Sequence, residues 1–169
     1  MGKNLAVAIF AASAFSFAVP SLAAEKENPA ALAKALAEAS VSLEQGLKAS
    51  EGEGKPISGK FELHEGALQL SLYTMKGDKF SEVIVDHKSG SIKKAEAITD
   101  AGDLKHARQQ SRAMAKAKTS LDKVVESAVK ANGGFRAVSA MPMLKANKPV
   151  VEVTLMKGTA VKKVTEKLD

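Results

Sequence analysis

The stretch LQLSLYTMKGDKFSEVIV, residues 68–85, decides the fold of this chain. Within residues 68–72 every second residue is a leucine and the residues between are polar, and this period of two predicts a β-strand with one buried face. Residues 75–78 (MKGD) predict a turn, because glycine and aspartate favour turn conformations. Residues 80–85 predict a second strand, so the stretch forms an antiparallel hairpin.

The same pattern continues on both sides of the hairpin. Residues 57–63 predict a preceding strand and residues 64–66 (HEG) the turn after it. Residues 86–90 (DHKSG) predict a further turn, and Ile92 begins a short fourth strand. The predicted sheet buries the face of Leu68, Leu70 and Leu72, while Gln69, Ser71 and Tyr73 face the other way.

A helix is predicted before these strands. Asn28 and Pro29 are typical of a helix start, and glycines at 52 and 54 with Pro56 end the helix. The residues on its apolar stripe are Leu32, Leu36, Ala39, Leu43 and Leu47. A break at residues 40–42, with Ser42 capping a new helix, is an alternative that the sequence leaves open.

The second half of the chain repeats this order. Residues 42–44 (SLE) recur as 120–122 (SLD), and residues 74–77 (TMKG) recur as 155–158 (LMKG), at offsets of 78 and 81. An insertion of three residues around 144–148, between two strands, would explain the difference. The second helix would carry Leu104, Ala107, Met114, Leu121, Val125 and Ala128. Strands are predicted at about residues 135–141, 150–156 and 161–164.

These patterns predict an α+β fold of two tandem repeats, each a helix packed on a three-stranded antiparallel β-meander. We expect the first unit at residues 25–98 and the second, shortened at its C-terminus, at residues 99–169. Each small sheet would keep a half-polar face and an open edge, available to the sister unit, to a second chain or to an extended peptide.

Each half resembles a PepSY domain, a small module of peptidase propeptides and exported bacterial proteins. The resemblance rests on Ser42-Leu43-Glu44, the strand at residues 68–74, the turn at 76–78 (KGD) and above all residues 83–92 (VIVDHKSGSI). That last run is similar to the family's V-D-x-x-[ST]-G-x-[VI] ending. The family's usual tyrosine is replaced by Leu70 and Val151, and the second unit stops before such a turn.

The resemblance implies a protein without catalytic residues of its own, which either binds or restrains an envelope or secreted peptidase or acts as a module that senses something in the envelope. It implies no cofactor. No binding residues and no oligomeric state are assigned from it.

Residues 1–24 predict a secretory signal peptide. Lys3 provides a positive n-region, residues 5–19 an apolar stretch too short for a membrane span, and residues 21–24 (SLAA) a cleavage site. Cleavage after Ala23 or Ala24 predicts a periplasmic or secreted protein with no stable membrane anchor. An uncleaved anchor is the alternative, which the polar residues 25–28 disfavour.

Composition excludes several classes of function. The chain has no cysteine, which excludes disulfides, thiol catalysis and Cys-ligated zinc. Its net charge of +6 is spread among acidic residues, a pattern that suits solubility as well as an anionic partner. Nucleic-acid binding is not predicted, because no aromatic residue lies within a basic cluster.

The side chains that could perform chemistry do not form a recognisable site. The histidines His64, His87 and His106 lack the i, i+4 spacing of a helical metal site, so exposed neutral histidines are favoured over a shared metal site or catalysis. Ser42 and Ser120 precede helices and are expected to be caps rather than nucleophiles. We therefore expect no catalytic, cofactor or metal site. The main hypothesis is a binding module; the alternative is a sensor or carrier of a metal or anionic small molecule.

Overall fold

The computed structural model describes residues 28–169, and the predicted signal peptide lies outside them. The helices are α1 (Pro29–Leu36), α2 (Leu43–Ser50), α3 (Ala101–Lys116) and α4 (Leu121–Ala131). The strands are β1 (Lys55–His64), β2 (Ala67–Lys76), β3 (Lys79–Val85), β4 (Ile92–Ala97), β5 (Arg136–Lys145), β6 (Lys148–Lys157) and β7 (Ala160–Lys167). Within residues 28–169 no helix is long and apolar enough to cross a bilayer.

All these strands belong to one antiparallel sheet, with the order β4-β3-β2-β1-β5-β6-β7. The predicted hairpins form as neighbours in the sheet, and the α+β class is confirmed. The two halves join at the centre, where Gly59 pairs with Ala140 and Lys60 pairs with Ser139. One edge of each half is therefore used by the other half, and β4 and β7 remain as the outer strands.

The first predicted long helix is broken in two, which is the alternative that the sequence left open. The amides of Ser40 and Val41 both donate to the carbonyl of His87, at 2.9 and 3.0 Å, so these residues are bound to the turn after β3 instead of continuing α1. Ser42 then starts α2 with a capping box. Its Oγ accepts from the amide of Gln45 at 3.2 Å, and Gln45 Oε1 accepts from the Ser42 amide at 2.8 Å.

The prediction of one continuous helix in the second half is wrong. It is broken between α3 and α4, where the amides of Lys118 and Thr119 donate to the carbonyl of Leu168 at 2.7 and 3.2 Å. Leu168 follows β7 and is fully buried. Local helical periodicity could not reveal this break, because its hydrogen-bond acceptor lies at the far end of the second half, beyond the last strand.

The apolar face predicted for the sheet is covered by α2. Leu70 and Leu72 are fully buried, as the alternation predicted, whereas Leu68 is only half-buried. Gly59 permits the close contact, because a Cβ atom there would lie 2.6 Å from Leu72 Cδ1 and 3.3 Å from Leu43 Cδ1 of α2. Helix α4 packs beside α2 and extends this layer across the second half of the sheet.

Helix α3 covers the opposite face, which the sequence predicted to be half-polar and open. Ala140 lies across from Gly59, and the next residue, Met141, has its Sδ 3.5 Å from Gln110 Nε2 of α3. Since successive side chains of a strand point to opposite faces, α3 and α2 lie on opposite sides of the sheet. Gln110 also accepts from Ser58 Oγ of β1 at 2.7 Å, so α3 spans the junction between the halves.

A half-buried arginine links the second half to the helices of the first. Arg136, at the start of β5, donates to the carbonyls of Leu36 and Val41 at 2.8 and 3.1 Å. Its guanidinium carbon lies 5.3 Å from the ring centroid of Phe61, a cation–π arrangement. Arg136 therefore adds a donor to carbonyls at the end of α1 and before α2; the Leu36 carbonyl also accepts from the amide of Ala39, at 3.1 Å.

A related contact links the first half to α3. Lys55 donates to the carbonyl of Met114 at 3.0 Å. Lys55 is the first residue of β1, as Arg136 is the first residue of β5, and Met114 lies in the last turn of α3, as Leu36 lies in the last turn of α1. Each half therefore uses the cation that begins its first strand to bind a helix end of the other half.

The position predicted for the three-residue insertion is wrong. The turns after β1 and β5 are equally short, with positive φ at Glu65, Gly66, Ala146 and Asn147. Strands β1 and β5 are equal in length, as are β2 and β6, so residues 55–76 align one to one with residues 136–157. The extra residues lie in α4, which has 11 residues where α2 has 8.

Candidate binding surface

The DHKSG turn, residues 86–90, has a structural role. Asp86 Oδ1 accepts from the amides of Lys88 and Ser89 at 2.9 and 2.7 Å, and Gly90 has a φ of 79° that suits glycine. Lys93 lies 2.7 Å from the other carboxylate oxygen of Asp86. The hydrogen bond from Lys93, followed by those from the two amides, holds the pKa of Asp86 below its usual range.

This turn presents the His87 carbonyl to the residues that precede α2, as described above. The DHKSG turn, on which the family resemblance mainly rests, is therefore explained by its role in folding alone. It needs no ligand to account for it.

A network of polar side chains occupies the face of β1 and β2 opposite to α2. Glu62 is its centre: Lys60 Nζ lies 2.5 Å from Glu62 Oε2, and Ser71 Oγ donates to Glu62 Oε1 at 2.8 Å. Gln69 Nε2 in turn donates to Ser71 Oγ at 2.8 Å. Ser71 is fully buried, whereas Lys60 and Glu62 keep about a third and a fifth of their side-chain area exposed. The network is held in place by its own hydrogen bonds and still reaches solvent.

Tyr73 extends this polar face toward β3. Its hydroxyl donates to Glu82 Oε1 at 3.3 Å. Burial of the hydroxyl, followed by the negative charges of Glu82, Glu62 and Asp103, raises the pKa of Tyr73 above its ordinary value. Tyr73 therefore remains a neutral hydrogen-bond donor at every physiological pH.

A cleft of about 290 Å³ opens beside the network, at the end of the sheet where β1 turns into β2 and β3 ends. Gln69 lies in both the network and the cleft wall. The lining residues are His64, Glu65, Ala67, Leu68, Gln69, Ile84, Val85, His87 and Lys93. The cleft therefore combines apolar walls with imidazole, amide and ammonium groups. We call the polar network and this cleft together the first-half surface.

The structure brings two of the three histidines to one place, which the sequence did not predict. His64 and His87 both line the cleft, while His106 is exposed on α3. His87 Nδ1 is buried and has no hydrogen-bond partner among the described residues. Across residues 28–169, no group of at least three His, Cys, Asp or Glu side chains could hold a metal ion.

The two serines differ in their role as caps. Ser42 forms the predicted capping box, but Ser120, at the corresponding position of α4, makes no side-chain cap hydrogen bond. It lines a second cavity of about 230 Å³ between α2, β1, α3 and α4. Both serines occupy the N-cap position of their helix, as predicted, and the capping box predicted for Ser42 is confirmed.

Sequence reasoning missed the polar network because it treated Gln69, Ser71 and Tyr73 only as an outward face. The available signal was that Lys60 and Glu62 have the same alternation in the preceding strand. Pairing the two strands across the turn at residues 64–66 places Glu62 opposite Gln69, beside Ser71. The register of one hairpin would have been enough to find it.

No family model matches the chain, and no curated protein matches it. Among solved structures, it is similar to a crystal structure from Clostridium difficile described as a "putative lipoprotein". The two are 10% identical in sequence and have a TM-score of 0.41, and the match covers 72% of this chain and 80% of the other. A likeness this distant carries no argument about function.

Proposed function

We propose that this chain is a non-enzymatic, exported binding module that contacts an envelope or secreted protein through the first-half surface. The observation that supports this most is the cleft of about 290 Å³, which continues into a hydrogen-bonded polar face. Ordered polar groups beside apolar walls are typical of recognition sites, because the polar groups set orientation and apolar contact adds affinity.

The proposal of a peptidase as partner, and of tandem PepSY-like repeats in an exported protein, rests on the sequence resemblance. The one-to-one alignment of β1 and β2 with β5 and β6 supports the repeat. The predicted signal peptide supports export to the periplasm or outside the cell. A peptidase of that compartment is therefore the first partner to test.

The experiment compares two variants at corresponding positions. Ile84 lies in the cleft wall and pairs with Ser71 of β2; Thr165 is exposed on β7 and pairs with Glu152, the counterpart of Ser71 in β6. Purified protein is tested for capture of peptidases from an envelope extract and for inhibition of their casein hydrolysis. We expect Ile84→Glu to weaken capture and inhibition at least tenfold, because a charge would enter the contact, and Thr165→Glu to leave both unchanged.

Two outcomes would count against the proposal. If the wild-type protein at about 10 µM retains no envelope protein and inhibits no peptidase, the binding function is rejected. If both variants lose binding equally, the site does not lie in the cleft.

A second candidate function is sensing or carrying a metal ion or an anionic small molecule. It is favoured by His64, His87 and Lys93 in one cleft and by the unpartnered Nδ1 of His87. Its test is a thermal-shift screen with Zn²⁺, Cu²⁺, phosphate and sulfate. We expect a rise in melting temperature that His87→Ala removes and His106→Ala retains; no rise with any of these ligands rejects this function.

A further inference from the structure

Among the described residues, strand β4 is an edge of the sheet that is open along its whole length. All six of its residues, Ile92–Ala97, are exposed, and within residues 28–169 it pairs on one side only, with β3. An open edge of this kind offers backbone donors and acceptors to another strand. The positions of the charged side chains on β4 indicate which strand would pair with it.

The backbone groups that point outward can be identified. The amide of Ile98 donates to the carbonyl of Phe80 at 3.0 Å, which continues the ladder in which Ser81 pairs with Ala97. In an antiparallel ladder, alternate residues bond to the same neighbouring strand. Ile98, Glu96 and Lys94 therefore bond toward β3. Ala95 and Ala97 present their N–H and C=O groups to the open side.

Symmetry limits how two copies can pair through this edge. When two copies extend one sheet by antiparallel pairing, their two-fold axis is perpendicular to the sheet, so paired residues face the same side. The axis must then pass through a residue position. The part of β4 that pairs residue for residue with β3 is Lys94–Ala97, so the axis can pass through one of these four positions. An axis at Ala97 would pair half of the strand with residues 98–100, which lie beyond its end, so Lys94, Ala95 and Glu96 remain.

Charge selects one of these registers. An axis at Lys94 would place two lysines opposite each other, and an axis at Glu96 would place two glutamates opposite each other. An axis at Ala95 places the two small alanine side chains at the centre. It also sets Lys94 of each copy opposite Glu96 of the other copy. In this register the two Ala95 residues exchange backbone hydrogen bonds, and the Lys–Glu pairs occupy the positions where strands come closest.

The side chains needed for these pairs are free to move. The side chains of Lys94 and Glu96 are 57% and 62% exposed, and among the described residues their ion pair is with each other, at 2.8 Å, an exposed pair of small energetic value. Replacing this pair by the same Lys94–Glu96 contacts between two copies therefore costs little free energy. Lys93, the other cation of the strand, lies 2.7 Å from Asp86, which offsets its charge.

The other edge of the sheet has a less favourable charge balance. Strand β7 carries Lys162, Lys163 and Lys167 against the single acid Glu166. Glu152 of β6 offsets Lys163, at 2.8 Å, and two copies would still bring a net positive charge together. It provides a matched control.

We infer that β4 is a self-association edge, at which two copies of this chain pair antiparallel about Ala95 and join their sheets into one. Contact through edge strands buries less area than a standard interface, so the dimer is reversible, with a dissociation constant of roughly 10–100 µM. This inference does not depend on the proposed function, because the Ala95 axis is set by β4 alone.

Charge exchange on the purified protein tests the inference by sedimentation equilibrium over roughly 5–500 µM. We expect Lys94→Glu and Glu96→Lys each to weaken dimerisation at least tenfold, since each places like charges opposite each other twice. The double variant Lys94→Glu/Glu96→Lys restores the complementary pairs and should dimerise within about threefold of wild type. Lys163→Glu on β7 should leave dimerisation intact.

A mixing experiment tests the register itself. Each single variant repels itself, but a 1:1 mixture of Lys94→Glu and Glu96→Lys proteins places acids opposite lysines at both positions, so the mixture should form a heterodimer. Unchanged melting temperatures of the variants would exclude misfolding as the cause of any loss. The inference is overturned if wild-type protein is monomeric over the whole range, if the single variants dimerise like wild type, or if neither the double variant nor the mixture recovers dimerisation.

Discussion

In the first half, the face of the sheet opposite α2 carries Lys60 and Glu62 on β1; in the second half the corresponding positions of β5 carry Met141 and Met143. Strands β1 and β2 correspond residue for residue to β5 and β6, although β4 has no counterpart in the second half. The difference is that α3 packs on the strands with methionines and leaves the polar network partly exposed. The polarity of the side chains at these corresponding positions therefore decides which half is covered by α3 and which half presents a polar surface.

The largest expected effect comes from undoing the packing of α3. Met114 is 1% exposed, and Met114→Ala should lower the free energy of unfolding by about 2–4 kcal/mol through lost apolar contact and a residual cavity. Urea unfolding measures this. His106→Ala, an exposed change on the same helix, should stay within about 0.5 kcal/mol of wild type. Equal effects of the two changes would show that α3 is not held by its apolar face.

An intermediate effect is expected where each half contacts the other's helix end. Arg136→Met removes two hydrogen bonds to carbonyls and the contact with Phe61, and should cost about 1–3 kcal/mol. Lys55→Met, at the corresponding position, removes one hydrogen bond of an exposed side chain and should cost less than about 1 kcal/mol. Thermal and urea unfolding of both variants give the comparison. A larger loss for Lys55→Met would reverse the proposed order.

The smallest expected effect concerns the two caps. Ser42→Ala removes a capping box and should cost about 1 kcal/mol, whereas Ser120→Ala removes no side-chain cap bond and should cost less than about 0.3 kcal/mol. The difference in urea midpoints between the two variants measures the asymmetry. Similar losses would mean that Ser120 caps α4 in solution.

Much of the local structure could be predicted from the residues. Alternation predicted the strands and their buried face, and Ser42 with Gln45 predicted a capping box. These features depend on neighbours within a few residues, which a local pattern records. The predicted insertion near residues 144–148 was wrong because the three extra residues lie in α4. The length of a helix is not marked by a turn residue, so a local pattern did not show where the residues had been added.

The candidate surface was less predictable. His64 and His87 come together because β1 and β3 both end next to the first residues of β2, which depends on strand register. The polar network needs the same information, since Glu62 reaches Ser71 only when the hairpin pairs residue for residue. Neither is visible in a pattern that considers one strand at a time.

By itself, the sequence determined the α+β class, the hairpins, the Ser42 cap and the predicted export signal, because each depends on short-range periodicity or composition. Only the tertiary structure decided that the two halves share one sheet, that helices cover both of its faces, and that β4 and β7 are its edges. Those features depend on pairings between residues far apart in the sequence, such as Gly59 with Ala140, where small side chains let the strands meet beneath α2. Such a fit between distant surfaces is a property of the folded chain.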